Sequence, residues 1–133
     1  KISGPLLDRI DIQLNVPRET ISKPDMGRKT DDPRQKIKLA REIQSVRFKD
    51  TDILYNSEIN YKNIDKYCVL SREAEELLSS AANNKSMSLR AYHKIKKLAR
   101  TIADMDGAET IYEQHIAEAT GLRTNDKMAS DLA

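Results

Sequence analysis

The chain has 133 residues, enough for one domain with a core of ordinary size. With 33% of its residues charged, 5% aromatic, one Phe and no Trp, its apolar material is mainly Leu, Ile and Ala, a mix that favours helices over a sheet sandwich. Lys and Arg number 23 against 21 Asp and Glu, and the net charge of +2 is too small to demand a nucleic-acid partner.

Gly4-Pro5 is a turn signal. From there Ile10, Ile12, Leu14 and Val16 alternate with Asp11, Gln13 and Asn15, the period of a strand, and Pro17 ends it. One strand makes no sheet. It either pairs with a sheet outside this chain or lies on the helices as an extended arm, and the first is the expectation. Residues 18–32 hold Pro24, Gly27 and many charges, and read as a linker. Asp32-Pro33 supplies an N-cap and a first helical residue for a helix running to about Lys49. Its expected buried arc is Leu39, Ile43 and Val46, with Ile37 and Phe48 elsewhere on the surface. Arg34, Lys38, Arg41 and Lys49 share another face. Such a stripe is usually just solvated; the sharper alternative is contact with nucleic-acid phosphates or with a neighbouring subunit.

Asp50 to Asn60 reads as a polar connection, and Asn63 to Tyr67 as a short helical turn anchored by Ile64, Tyr67 and Leu70. Ser71 caps the next helix, with Ala74, Leu77, Leu78 and Ala81 as its core stripe and Asn83-Asn84 as its end. Ser88 then caps the longest helical pattern. Ala91, Ile95, Leu98, Ile102 and Met105 recur at steps of four and three, and Tyr92, Ala99 and Ala103 widen the stripe. Arg90, Lys94, Lys97, Thr101 and Asp104 fall on the far side. Arg90 lies in the first turn, where free N–H groups and the positive dipole end favour anions. An arginine there is useful when a phosphate has to be met. Taken alone, an exposed solubility arginine is the better reading. Gly107 stops the helix. Thr110 and Glu113 suggest a capping box for a last helix that turns Tyr112, Ile116 and Ala119 inward and closes at Gly121. Residues 124–133 read as a frayed tail.

Little chemistry is visible in the chain by itself. His115 and Glu118 sit three apart on a helix, but no Cys, His or carboxylate cluster joins them at metal-ligand spacing. His93 reads as a helix-surface residue. Cys68, between Tyr67 and Val69, is a small buried hydrophobe rather than a nucleophile. As the single cysteine it excludes an internal disulfide and fits a reducing compartment. With no signal peptide and no apolar run of spanning length, the chain is expected to be soluble and cytoplasmic. No Gly-rich phosphate loop with a following Lys-Ser or Lys-Thr exists, so the isolated chain is expected to bind no nucleotide, to be monomeric and not to be an enzyme. It opens on Lys1, not Met, and is read as a piece of a longer protein.

SGPLLDRIDIQLNVP, then a linker, a long basic helix, SLRAYHKIKKLARTIADMDG and IYEQHIAEA, together resemble the C-terminal portion of the magnesium-chelatase-like AAA+ ATPases of the ComM/YifB group. The resemblance spans nearly the whole chain. It implies a mainly α fold: a helical AAA+ lid-type bundle of about four to five helices, preceded by one residual β-strand and a flexible linker. Residues 1–17 would end the AAA+ core, 18–32 would be the linker, 33–123 the lid and 124–133 the tail. The Walker motifs, and with them ATP and Mg²⁺, would lie in the rest of the protein. The resemblance further implies a ring-shaped homo-oligomer, expected to be hexameric, that works as an ATP-driven motor on DNA, a helicase for branch migration in natural transformation. Arg9 matches an arginine finger, a guanidinium supplied across a subunit boundary to the transferring phosphoryl. Arg90 matches the sensor-2 arginine, which reaches the γ-phosphate of its own subunit. Two other readings stay open: a helical DNA-binding or protein-interaction module, or the motor component of a true metal chelatase. Thr120-Gly121-Leu122-Arg123 departs from the aromatic residue that the family often has before its final arginine, which puts the end of the last helix in doubt.

Overall fold

The structure is a computed structural model that describes residues 3–16, 18 and 32–123. The predicted linker, apart from its end residues Arg18 and Asp32, and the predicted tail from residue 124 lie outside the described residues. The architecture is mainly helical. In chain order the helices are α1 (Gly4–Arg9), α2 (Pro33–Arg47), α3 (Ile64–Tyr67), α4 (Arg72–Asn84), α5 (Leu89–Met105) and α6 (Glu113–Gly121), with a 3₁₀ turn over Asn56–Glu58.

The spine is α5. Its Ser88 cap accepts the Ala91 N–H at 3.1 Å, and its far end closes on Gly107. Gly107 has φ +69°, a left-handed conformation in which a Cβ would be strained. Around it Gly107 N–H donates to Asp104 O at 3.1 Å and Ala108 N–H to Ala103 O at 2.9 Å, filling carbonyls that the helix end would otherwise orphan. Ile95, Ala99, Ile102 and Ala103 of α5 share one core with Ile116 and Ala119 of α6, Ala74 and Leu78 of α4, and the edge-on pair Phe48–Tyr67, whose ring centroids are 5.1 Å apart. The starts of α4 and α6 are stapled by an isolated parallel bridge between Leu70 and Ile111.

A buried polar hub fixes how α2 meets this spine. The Asp104 carboxylate has no exposed surface, yet it takes two hydrogen bonds from Arg47 (2.5 and 2.7 Å), one from Asn56 Nδ2 (2.8 Å) and one from Arg100 Nε (3.1 Å). Arg100 also donates to the carbonyls of Ala108 and, at 2.6 Å, Glu109, so it ties down the turn that follows α5. Asn56 N–H donates to Gln44 Oε1 at 2.9 Å. Helix α2, the 3₁₀ turn and α5 itself thus meet at one carboxylate.

Several sequence expectations are corrected here. Residues 10–16 form no strand; among the described residues none is in a sheet. Residues 8–13 run beside α5 and the end of α6, and Ile10, Ile12, Leu14 and Val16 are exposed by 37, 46, 62 and 84%. The Gly4-Pro5 turn signal proves to be the first turn of α1, where Ser3 is the N-cap. On α2 the buried positions are Ala40 and Gln44, followed by Phe48 just past its end, whereas Leu39 and Val46 are exposed, Val46 by 78%. The reason is the hub: Gln44 and Arg47 must face Asn56 and Asp104, and that rotation carries Val46 outward. Asp104 itself lies in the interior, not on a far face of α5. Leu77 is 39% exposed, so the α4 stripe is narrower than its apolar pattern. The Thr110–Glu113 box does not form. Ile111 is held extended by Ile111 N–H to Val69 O and Ser71 N–H to Ile111 O, both 2.9 Å, and α6 can start only after Tyr112. Tyr112 accordingly stays half-exposed, and its N–H is taken up by His115 Nδ1 at 3.0 Å.

Removing one partner of a buried ion pair strands the others without solvent. In urea unfolding of this chain, Asp104→Ala is expected to cost about 3–5 kcal/mol. Glu42→Ala, which breaks only the exposed 3.8 Å pair with Lys38 on α2, is expected to cost less than ~1 kcal/mol. Similar small losses for both would contradict the hub.

Candidate functional site

The two arginines singled out by the sequence sit on elements that touch. The C-terminal end of α1 rests against the first turns of α5: Asp8 Oδ1 and Oδ2 lie 3.4 and 3.5 Å from Ser88 Oγ, and Lys94 Nζ donates to Arg9 O at 2.6 Å. The first turn of α5 has no acidic residue of its own, and Asp8 brings a carboxylate to that positive dipole end from another helix. Arg9 and Arg90 are both exposed, and neither guanidinium has an ion-pair or hydrogen-bond partner among the described residues. Unpartnered guanidiniums on one contact between two helices suit an incoming anion with several acceptor oxygens.

Of the basic stripe, Arg34, Lys38 and Arg41 come together along one shallow cleft of about 490 Å³ on the outer face of α2, with Ile37, Glu42 and Ser45. Lys49 is exposed but lies past the end of the helix and lines no part of that cleft. Arg41 also borders a neighbouring cleft of about 310 Å³ that includes the half-exposed Tyr55. No local pattern couples Tyr55 to the stripe, because it reaches that place at the start of the 3₁₀ turn and not through helical spacing.

Cys68 is buried at 1% exposure, and burial pushes its thiol up to about 11, so it is a protonated packing group at neutral pH. His115, also buried, is taken up structurally: Nδ1 accepts from Tyr112 N–H, which leaves Nε2 to donate to Asp106 Oδ2 at 3.2 Å. Its neighbour in the sequence pattern, Glu118, is exposed. Among the described residues no group of three or more His, Cys, Asp or Glu side chains could hold a metal ion, and no helix is long and apolar enough to cross a membrane.

Sequence reasoning missed Arg123 and assigned Lys94 no role. Arg123, with a side chain only 5% exposed, donates to the carbonyls of Ile10 (2.6 Å), Asp11 (3.2 Å) and Asp8 (3.4 Å). Lys94 also pairs with the Asp11 carboxylate. These partners are more than 80 positions away in the chain, beyond the reach of any local periodicity.

The family model described as magnesium chelatase, subunit ChlI C-terminal, matches residues 27–123. Among curated proteins, competence protein ComM of Haemophilus influenzae is 35% identical over all of this chain and 26% of its own length. The YifB proteins of Salmonella typhimurium and Escherichia coli are 32% and 33% identical, each over 99% of this chain and 26% of their own length. The chain therefore spans about a quarter of the length of the curated relatives it matches, and it resembles the C-terminal portion of ComM/YifB-like proteins.

If the α2 stripe meets nucleic-acid phosphates, replacing Arg34, Lys38 and Arg41 together by Gln in the full-length protein should weaken DNA binding and flatten its dependence on salt. Each lost phosphate contact should lower the slope of log K against log salt by about 0.7–0.9. An unchanged slope in a salt titration would leave the stripe as a solvated face.

Proposed function

The chain belongs to the magnesium chelatase ChlI C-terminal family, and from that premise we propose that it is the helical lid of a ring-forming AAA+ ATPase that drives movement on DNA. The observation that carries this reading is the pair of exposed guanidiniums, Arg9 and Arg90, without a partner among the described residues and set on the touching ends of α1 and α5. Similarity of the whole of this chain to about a quarter of a competence protein supports DNA as the polymer acted on; branch migration is the work we infer from it. ATP and Mg²⁺ would bind largely to parts of the ring outside this chain. From here, Arg9 and Arg90 would contribute positive charge to phosphate oxygens, and the described residues offer no cluster to hold the metal. When bound, ATP supplies the phosphoryl group that is transferred to water.

On this reading Arg9 serves the nucleotide of the neighbouring subunit and Arg90 that of its own. A second arrangement is favoured by the α1–α5 contact: with the two arginines carried on touching helices, both could act on the neighbour. Mixed rings separate the two. Arg9→Ala and Arg90→Ala should each lower ATP turnover of the full-length protein by on the order of a hundredfold, the scale of a lost charge-assisted contact to the transferring phosphoryl. Mixing Arg9→Ala subunits with subunits lacking the Walker lysine should restore part of the activity, because some boundaries then join an intact nucleotide pocket to an intact finger. Arg90→Ala mixed with the same partner should stay inactive if Arg90 works within its own subunit. Recovery in both mixtures would assign both arginines to the neighbour. Full activity of the two single variants would overturn the motor reading and leave the binding module.

A further inference from the structure

Helix α1 buries none of its residues, so apolar packing does not hold it in place. What holds it is polar: Ser88 and Arg123 meet the Asp8 carboxylate, and two cations take backbone carbonyls at its C-terminal end. Lys94 Nζ takes the carbonyl of Arg9 itself at 2.6 Å and the Asp11 carboxylate beyond it. Arg123 takes the carbonyls of Ile10 at 2.6 Å, Asp11 at 3.2 Å and Asp8 at 3.4 Å. Gln13 N–H adds a 2.7 Å bond to Leu122 O, next to Arg123 in the chain. These carbonyls belong to the C-terminal end of α1 and the residues just after it, where helical carbonyls lose their internal partners and the dipole is negative. Two cations from α5 and from the end of α6 fill that end. Both are largely withdrawn from solvent, with side-chain exposures of 15% for Lys94 and 5% for Arg123. The Arg9 side chain, by contrast, is exposed and unpartnered among the described residues. Its backbone is gripped while its guanidinium is left free.

We propose that Lys94 and Arg123 are the positioning residues of the arginine finger: they clamp the α1 carbonyls to the helical bundle so that Arg9 is presented at a fixed place to the nucleotide across the subunit boundary. This rests on the reading of Arg9 as a finger. A guanidinium contributes to phosphoryl transfer only when it is placed before the transition state forms, and misplacement by about 1 Å can cost on the order of a hundredfold in rate. Loss of the clamp leaves Arg9 present but unanchored. The clamp also joins the finger to α5, the helix that carries Arg90, so a shift of the bundle moves both arginines together.

The test uses the full-length protein, with the variants Lys94→Gln, Arg123→Gln and Arg123→Lys, each alone and each combined with Arg9→Ala. Lys94→Gln and Arg123→Gln should lower kcat for ATP by roughly tenfold to a hundredfold while KM for ATP and ring assembly stay unchanged. Arg123→Lys should recover part of the loss, since an ammonium can still reach a carbonyl. In the Arg9→Ala background the same substitutions should cost nothing further, because there is no finger left to misplace. An effect that multiplies with Arg9→Ala, or a rise in KM with kcat intact, would overturn the proposal. If Arg9→Ala lowers kcat and neither clamp substitution does, the finger stands and the clamp falls. If Arg9→Ala itself changes nothing, the finger reading has failed and the clamp with it. Should Arg123→Gln fail to assemble, Lys94→Gln, on the surface side of the clamp, gives the same comparison.

Discussion

One carboxylate governs the arrangement of this domain. Asp104 is fully buried on the central helix and is neutralised by Arg47 from α2 and Arg100 from its own helix, while Asn56 from the intervening 3₁₀ turn donates it a further hydrogen bond. A buried charge so placed tolerates little displacement, since any partner that withdraws leaves the rest without water. The hub therefore sets the rotation of α2 about its axis, and that rotation decides what faces outward. Phe48 turns in against Tyr67, whereas Arg34, Lys38 and Arg41 turn out along an open cleft. Through Arg100 the same hub ties down the turn after α5. The far end of that helix, with Ser88, Arg90 and Lys94, is then free to receive α1.

The parts of the fold legible in the sequence are those written in local chemistry. Asp32, Ser71 and Ser88 cap helices as their positions suggest, and Gly107 ends α5 in the left-handed conformation that its lack of a Cβ permits. The apolar period of α5 is strong enough to identify the core helix, and Ile95, Ala99, Ile102 and Ala103 are all buried. What local chemistry could not disclose are interactions set by distant partners. Arg47 and Asp104 are 57 positions apart, so a charge on an apparent outer face gave no sign of its burial. The alternation at Ile10 to Val16 has the period of a strand, but period alone does not supply a ladder partner, and here the segment follows the helices instead. At the start of α6, a serviceable capping pattern at Thr110 lost to the bridge that Ile111 makes with Leu70.

The candidate site was legible to a similar degree. Arg90 drew notice as a cation at the wrong end of a helix dipole, and Arg9 through the resemblance carried by its surrounding block. That α1 rests on α5 was not legible, because Lys94 makes the contact to Arg9 O across 85 positions and Arg123 ties the same segment to the end of α6. The structure adds a physical account of the oddity at Arg90: Asp8 supplies the anion that this helix start lacks, which leaves the arginine itself uncommitted. The same contact makes the bundle and the segment that carries Arg9 one unit.

The central claim is that this unit presents Arg9 to a nucleotide held by another subunit. The most direct measurement is a cryo-electron-microscopy structure of the full-length ring with a non-hydrolysable ATP analogue. The account predicts the Arg9 guanidinium within hydrogen-bond distance of the γ-phosphate bound by the adjacent subunit, with Lys94 and Arg123 still on the α1 carbonyls. A ring in which Arg9 points to solvent, or in which α1 has left α5 while the phosphate is met by other residues, would contradict it.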